Sequence, residues 1–144
     1  MNLKVFAEIE RKFKVVTDQM ETFVRESLEE EKKYTVDLNR EQLSRGMNAD
    51  ETPIEPGYKP RTVAIKKRKG QPFDRVTLKD TGDFHRGMKL STFQKEFVLS
   101  STDWKINILV PKYGARIFGV PQSKKHELQQ RLKPRLIKAV KSKF

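Results

Sequence analysis

Between Asn48 and Lys69 the chain shows no hydrophobic repeat of either 2 or 3.6 residues. The first part of this stretch, NADETPIEPGYKP, holds three prolines and a glycine. Proline lacks the amide donor and fixes φ, so neither a helix nor a central strand can run through such a segment. Regular structure must therefore stop here, and the stretch over 48–75 is expected to be a long extended basic loop. A compact domain rarely keeps so long a loop unless something outside the chain uses it. High charge and low hydrophobicity further suggest that the loop is unordered before it meets that partner.

Upstream of the break, Phe6, Ile9, Phe13, Val16, Met20 and Phe23 step by three and four residues, the spacing of one apolar stripe on a helix. This predicts a long amphipathic N-terminal helix over 1–33. Ser27 and Glu30 fall on the continuation of the stripe, which is too short for a coiled coil. LNREQLSRG, Leu38 to Gly46, would make a further short helix closed by Gly46.

Downstream, Asp80 or Thr81 is suited to cap a short helix that opens at Gly82 and carries Phe84 and Met88 at helical spacing. Phe93, Phe97 and Leu99, then Trp104, Ile106, Ile108 and Val110, alternate with period 2. They predict a β-hairpin within 76–120 that turns at Ser101 to Asp103. KYGARIFGVPQS reads as a loop. Ser123 is a candidate N-cap for a last helix over 123–144, which Pro134 should kink or split. The expected fold is a single α+β domain of 144 residues with a small antiparallel sheet, a short capped helix and a C-terminal helix.

The formal charge of +12 favours phosphate polymers, anionic surfaces or acidic proteins as partners. Its densest sources are Lys66, Lys67, Arg68 and Lys69, and a tail from Lys124 to Lys143 in which Glu127 is the one acidic residue. With no cysteine, disulfides, zinc-thiolate sites and cysteine nucleophiles are excluded. The N-terminus lacks the apolar run of a signal peptide and no stretch is long enough to span a membrane, so the expectation is a protein made in the cytosol with no membrane partner. His85 and His126 lack companions at metal-ligand spacing, and no phosphate-binding glycine loop or nucleophile elbow occurs. No enzyme chemistry, metal or cofactor is expected.

The order of these parts resembles the phage virion-morphogenesis and tail-completion family. A loop of the type D-x-D-G-x-P-hydrophobic-x-x-Y/L-x-x-x-T is met by Asn48, Asp50, Pro53, Ile54, Tyr58, Thr62 and Lys66. A phrase of the type L-x-D-T-G-x-L/F is met by Leu78, Asp80, Thr81, Gly82 and Phe84, and a turn of the type P-A-R-x-F-hydrophobic-G by Ala115, Arg116, Ile117, Phe118 and Gly119. Glu51 stands where the loop usually has glycine, Gly87 or Met88 where a serine follows the short helix, and Gly114 where a proline precedes Ala115.

The resemblance implies a non-enzymatic structural virion protein that forms a homo-oligomeric ring at the head–tail junction (neck, connector) or completes the tail end. Its partners would be portal, adaptor or tail proteins and packaged DNA. In that setting Pro53, Ile54, Tyr58, Arg61, Thr62, Lys66, Lys67 and Arg68 would form an arm that reaches the adjacent subunit, and deleting Asn48–Lys69 would leave a folded monomer unable to assemble. Asp80, Thr81, Gly82 and Phe84 would anchor the arm's end, and Arg116 and Phe118 would shape the C-terminal turn. Lys66, Lys67, Arg68, Lys69, Lys124 and Lys125 are the candidate DNA-facing residues. The alternative is a basic nucleic-acid-binding accessory protein of a phage or mobile element, whose affinity would fall steeply with salt.

Overall fold

The structure, a computed structural model, describes residues 3–93 and 96–144. It is α+β, as the sequence predicts. In chain order come α1 (Leu3–Glu30), α2 (Lys32–Ser44), α3 (Pro60–Arg68), α4 (Asp83–Arg86), β1 (Met88–Phe93), β2 (Glu96–Ser101), α5 (Ile106–Tyr113), 3-10 turns at Ala115–Ile117 and Gln122–Lys124, and α6 (Lys125–Lys141). They fall into two compact units, Lys32–Lys125 and the paired terminal segments Met1–Glu31 with His126–Phe144.

In the terminal unit α1 and α6 run antiparallel. The Phe13 and Phe144 rings meet edge-on at 5.4 Å. At the other end, the buried Glu31 carboxylate accepts hydrogen bonds from Arg131 (2.7 Å) and Arg135 (2.8 Å), and Arg135 also pairs with Glu30. Glu31 is thus the break between two helices where one helix to residue 33 was expected. Of the apolar stripe, Val16 and Phe23 are buried while Phe6, Ile9, Phe13 and Met20 are not. Pro134 does not split α6. Proline there is exposed, so the carbonyl one turn back that loses its amide partner can be hydrated.

The larger unit is built on α2, which begins at Lys32, not at Leu38, and packs on β1. Its core joins Val36, Leu43, Ile54, Val76, Leu78, Phe84, Met88, Leu90, Tyr113 and Ile117. Leu43 and Ile117 are wholly inaccessible, and burying one such side chain contributes roughly 1.5–3 kcal/mol. β1 and β2 pair antiparallel from Met88↔Ser101 to Phe93↔Glu96. The expected hairpin is therefore shifted upstream, and its predicted turn at Ser101–Asp103 is instead the end of β2.

The predicted second strand is α5. Asp103 starts it by accepting the Lys105 amide on Oδ1 (2.8 Å) and the Ile106 amide on its carbonyl (3.1 Å). Ile106, Leu109 and Val110, with Tyr113, then face the core at i, i+3, i+4 and i+7. Period 2 in Trp104, Ile106, Ile108 and Val110 is coincidental, because it leaves Leu109 unused. Ser123 caps nothing on α6, since its hydroxyl and amide both donate to Glu51.

Candidate functional site

The stretch expected to be an extended arm is folded onto the larger unit. Pro60 at the first helical position suits the missing amide and opens α3, and Ile54 lies in the core. Tyr58 is half-buried against that core. Lys66 is 7% exposed and makes α3's buried contact. These three residues are therefore not free interface residues, and deleting Asn48–Lys69 is now expected to unfold this unit. Pro53, Arg61, Lys67, Arg68 and Lys69 stay on the surface, with Thr62 half-buried. Of the C-terminal basic candidates, Lys125 is exposed and Lys124 half-buried.

What the segment does is hold the backbone at Thr77 to Thr81. Thr77 donates its amide to the Tyr58 hydroxyl (3.0 Å), and its carbonyl accepts His85 Nε2–H (2.8 Å). Lys66 Nζ donates to the Lys79 carbonyl (2.9 Å), Gln71 Nε2 to that of Asp80 (2.9 Å) and Arg86 to that of Thr81 (3.2 Å). No strand supplies these bonds; side chains do. Leu78, at the centre, has φ +55°, a left-handed conformation that costs a branched residue roughly 1–2 kcal/mol and persists only where its surroundings enforce it. A cleft of about 160 Å³ lies beside this loop, lined among others by Tyr58, Lys66, Leu78, Lys105 and Tyr113.

Two of the expected caps are reassigned. Asp80 takes Lys69 (2.7 Å), which is the first cause holding its carboxyl below the usual range. Gly82, at φ +88°, occupies the N-cap position of α4 without a side-chain cap bond. Thr81 does act locally, its hydroxyl bonding the Asp83 carboxylate at 2.8 Å. That bond, then Arg86, holds the Asp83 carboxyl low as well. Phe84 is 2% exposed and packs on Phe118 at 5.8 Å, as an anchor should.

The loop 47–54 and the turn 115–123 form a second cluster. Ala49 donates its amide to the Arg116 carbonyl (2.8 Å), Gln122 donates to the Ala49 carbonyl (3.1 Å), and Arg116 pairs with Asp50 (2.8 Å). The Thr52 hydroxyl, then Arg116, draws the Asp50 carboxyl below its ordinary value. Buried Asn48 ties Thr52 and Pro53. Glu51, in the glycine position of the resemblance, has φ +64°. Gly119 has φ +147°, and a Cβ there would lie 2.6 Å from that of Ala49. From α2, Asn39 bridges the turn, donating to the Ile117 carbonyl (2.9 Å) and accepting the Gly119 amide (3.2 Å). Sequence reasoning missed Asn39, because a polar residue inside a helix carries no periodic signal. The three phrases quoted for the resemblance thus meet in one unit.

Lys66→Met keeps the aliphatic stem but removes a charged donor from the Lys79 carbonyl, and should cost about 2 kcal/mol in chemical denaturation. Lys67→Met at the exposed neighbour should stay within about 0.5 kcal/mol. His85 is buried, and desolvation, with Lys79 and Arg40 nearby, lowers its pKa from the ordinary 6.5. The unfolded chain therefore takes up this proton first as the pH falls below 6.5, and stability should decline from there downward. Urea midpoints at pH 7.5 and 5.5 test this, the His85→Gln variant losing that part of the difference.

Among the described residues no group of three or more histidine, aspartate or glutamate side chains is placed to hold a metal ion, and no helix is long and apolar enough to cross a membrane. The main-chain groups of the loop are engaged by the side chains around it, whereas the buried Thr77 hydroxyl has no hydrogen-bond partner. Besides the exposed cations, apolar surface is open to a partner: Val5, Phe6, Ile9, Phe13 and Met20 on α1, Trp104 and Ile108 at α5, and Phe73, Phe97 and Val98. The α1 stripe was legible in the sequence; the α5 surface was hidden by reading it as a strand. Compared with known proteins, the chain matches no protein family, no curated protein and no solved structure.

Proposed function

We propose that this is a non-enzymatic structural virion protein of a tailed phage, assembled as a homo-oligomeric ring at the head–tail junction or the tail end. The observation that carries the reading is the apolar stripe of α1, in which Phe6, Ile9 and Phe13 stay about half exposed while every residue from Lys4 to Arg11 lies on the surface. A stripe of this kind on an otherwise charged helix marks a protein contact. The three phrases that resemble those of the virion-morphogenesis family support this setting for the contact. Portal, adaptor or tail proteins would be the further partners, and exposed Lys67, Arg68 and Lys125 would meet packaged DNA through phosphate contacts.

Sedimentation and particle imaging of the purified chain test the proposal. Closed rings, at a multiple of 16.9 kDa, are the expected result. A chain that remains a 16.9 kDa monomer at high concentration, while binding DNA with a steep salt dependence, overturns it in favour of a nucleic-acid-binding role.

A further inference from the structure

The cleft beside the Thr77–Thr81 loop is lined entirely by residues of the Lys32–Lys125 unit. One wall carries a charge that the protein leaves without a counter-charge. Lys66 is 7% exposed, and its ammonium donates only to neutral oxygens, the Lys79 carbonyl (2.9 Å) and Gln71 Oε1 (3.4 Å), while lying 4.9 Å from the centre of the Tyr58 ring. Among the described residues no carboxylate pairs with it. Asp80 feels this charge, yet its own bond goes to Lys69 (2.7 Å), and Asp83 is engaged by Thr81 and Arg86. A buried cation without a counter-charge bears a desolvation cost, which an anion brought beside it offsets.

Three more side chains bring donors to the same walls. Tyr113 is also 7% exposed, and its hydroxyl has no hydrogen-bond partner among the described residues. The Tyr58 hydroxyl accepts the Thr77 amide (3.0 Å), which leaves its own proton to give. Lys105 shares its ammonium with Asp103 at 3.3 Å and keeps two further N–H groups. Leu78 and Leu109 supply apolar wall, and Leu78 is the residue held at φ +55°. Backbone strain of this kind gathers at ligand clamps.

We propose that this cleft binds a carboxylate carried on a short apolar tail, either a small free acid or the acidic side chain of a partner protein. Lys66 gives the counter-charge, the Tyr113 hydroxyl donates to the carboxylate, and Leu78 and Leu109 pack on the tail. A space of about 160 Å³ suits a tail of a few carbons. Phosphate has no apolar part to bury against the leucines, so the lining selects the carboxylate. The inference goes beyond the ring reading and does not depend on it.

Butyrate is the probe, titrated at constant ionic strength into the full chain labelled with nitrogen-15 and followed by amide shifts. A ligand this small should bind with a Kd on the order of 1 mM. The expected result is a saturable shift confined to the amides of Thr77–Asp83 and Lys105–Tyr113, which neither butyramide, the neutral isostere, nor phosphate reproduces. Tyr113→Phe keeps the ring and should weaken butyrate about tenfold, the loss that follows removal of one hydrogen bond to a charged group. Lys67→Met, outside the cleft, should leave the affinity unchanged. Shifts that never saturate, that spread over the exposed lysines, or that butyramide or phosphate matches overturn the proposal, as does a folded Tyr113→Phe chain with unaltered affinity. A glutamate capped at both ends separates the two sources, either of which upholds the proposal. Binding as tight as butyrate's assigns the cleft to an acidic side chain of a partner, and binding of butyrate alone assigns it to a free acid.

Discussion

Phe84→Ala should lower the unfolding free energy of the larger unit by about 3–5 kcal/mol, the range for deleting a buried aromatic ring. Phe84 is 2% exposed, packs on Phe118 and sits in the cluster with Leu78, Met88 and Tyr113. Its carbonyl also accepts the Ser101 hydroxyl at 2.8 Å, so the residue fixes α4 to the end of β2 by backbone as well as by side chain. The backbone bond survives truncation, which separates the two contributions. Phe84→Leu should cost less than half as much as alanine, because leucine fills most of the void. Equal losses for alanine and leucine in urea titration would show that the site is not packed as described. Since small domains are stable by only about 5–15 kcal/mol, the alanine variant should be poorly folded at 37 °C.

Asn39→Leu should be the second most damaging change, at about 2–4 kcal/mol. Asn39 is wholly inaccessible, and leucine has the same branching with bulkier ends, so no cavity opens and any steric term adds to the cost. The cost comes from buried polar groups left without partners, roughly 1–3 kcal/mol each. The Gly119 amide loses its acceptor outright. The Ile117 carbonyl keeps a longer bond from Gln42 at 3.5 Å, which places the sum below the full penalty for two groups. Gln42→Ala in the Asn39→Leu background should then cost more than in the natural chain, the sign of a shared acceptor in a double-mutant cycle. Strict additivity would argue against that geometry.

The elements read correctly from the sequence were those marked by ordinary apolar residues at one clear period, buried or not, or by a glycine opening beside an apolar residue. The stripe from Phe6 to Phe23 placed α1, and Gly82 with Phe84 placed α4. α5 was lost because a short apolar run satisfies two periods at once, and only burial of Leu109 and Tyr113 decides between them. α3 was lost for another reason. Its inward residue is Lys66, whose ammonium lies over the Tyr58 ring, 4.9 Å from its centre, and reaches a backbone carbonyl. A pattern that counts lysine as polar cannot find such a face, and it misread a structural cation as a DNA-facing one. Asn39 was beyond reach because its partners, the Ile117 carbonyl and the Gly119 amide, lie 78 and 80 residues away, and His85 because its partner, the Thr77 carbonyl, is a main-chain group that leaves no mark on the sequence.

The loop at Thr77 to Thr81 has a further consequence for how this chain would be compared with others. Its shape is not written where it occurs. Tyr58, Lys66, Gln71, His85 and Arg86 dictate it from outside, through bonds to main-chain atoms that every amino acid possesses. A distant relative could retain the letters DTG and lose the conformation by changing Lys66 and Tyr58. Another could keep the conformation under different letters, provided that those five outside positions stayed. Kinship among such chains is therefore better sought in the set of outside donors and acceptors than in the local signature.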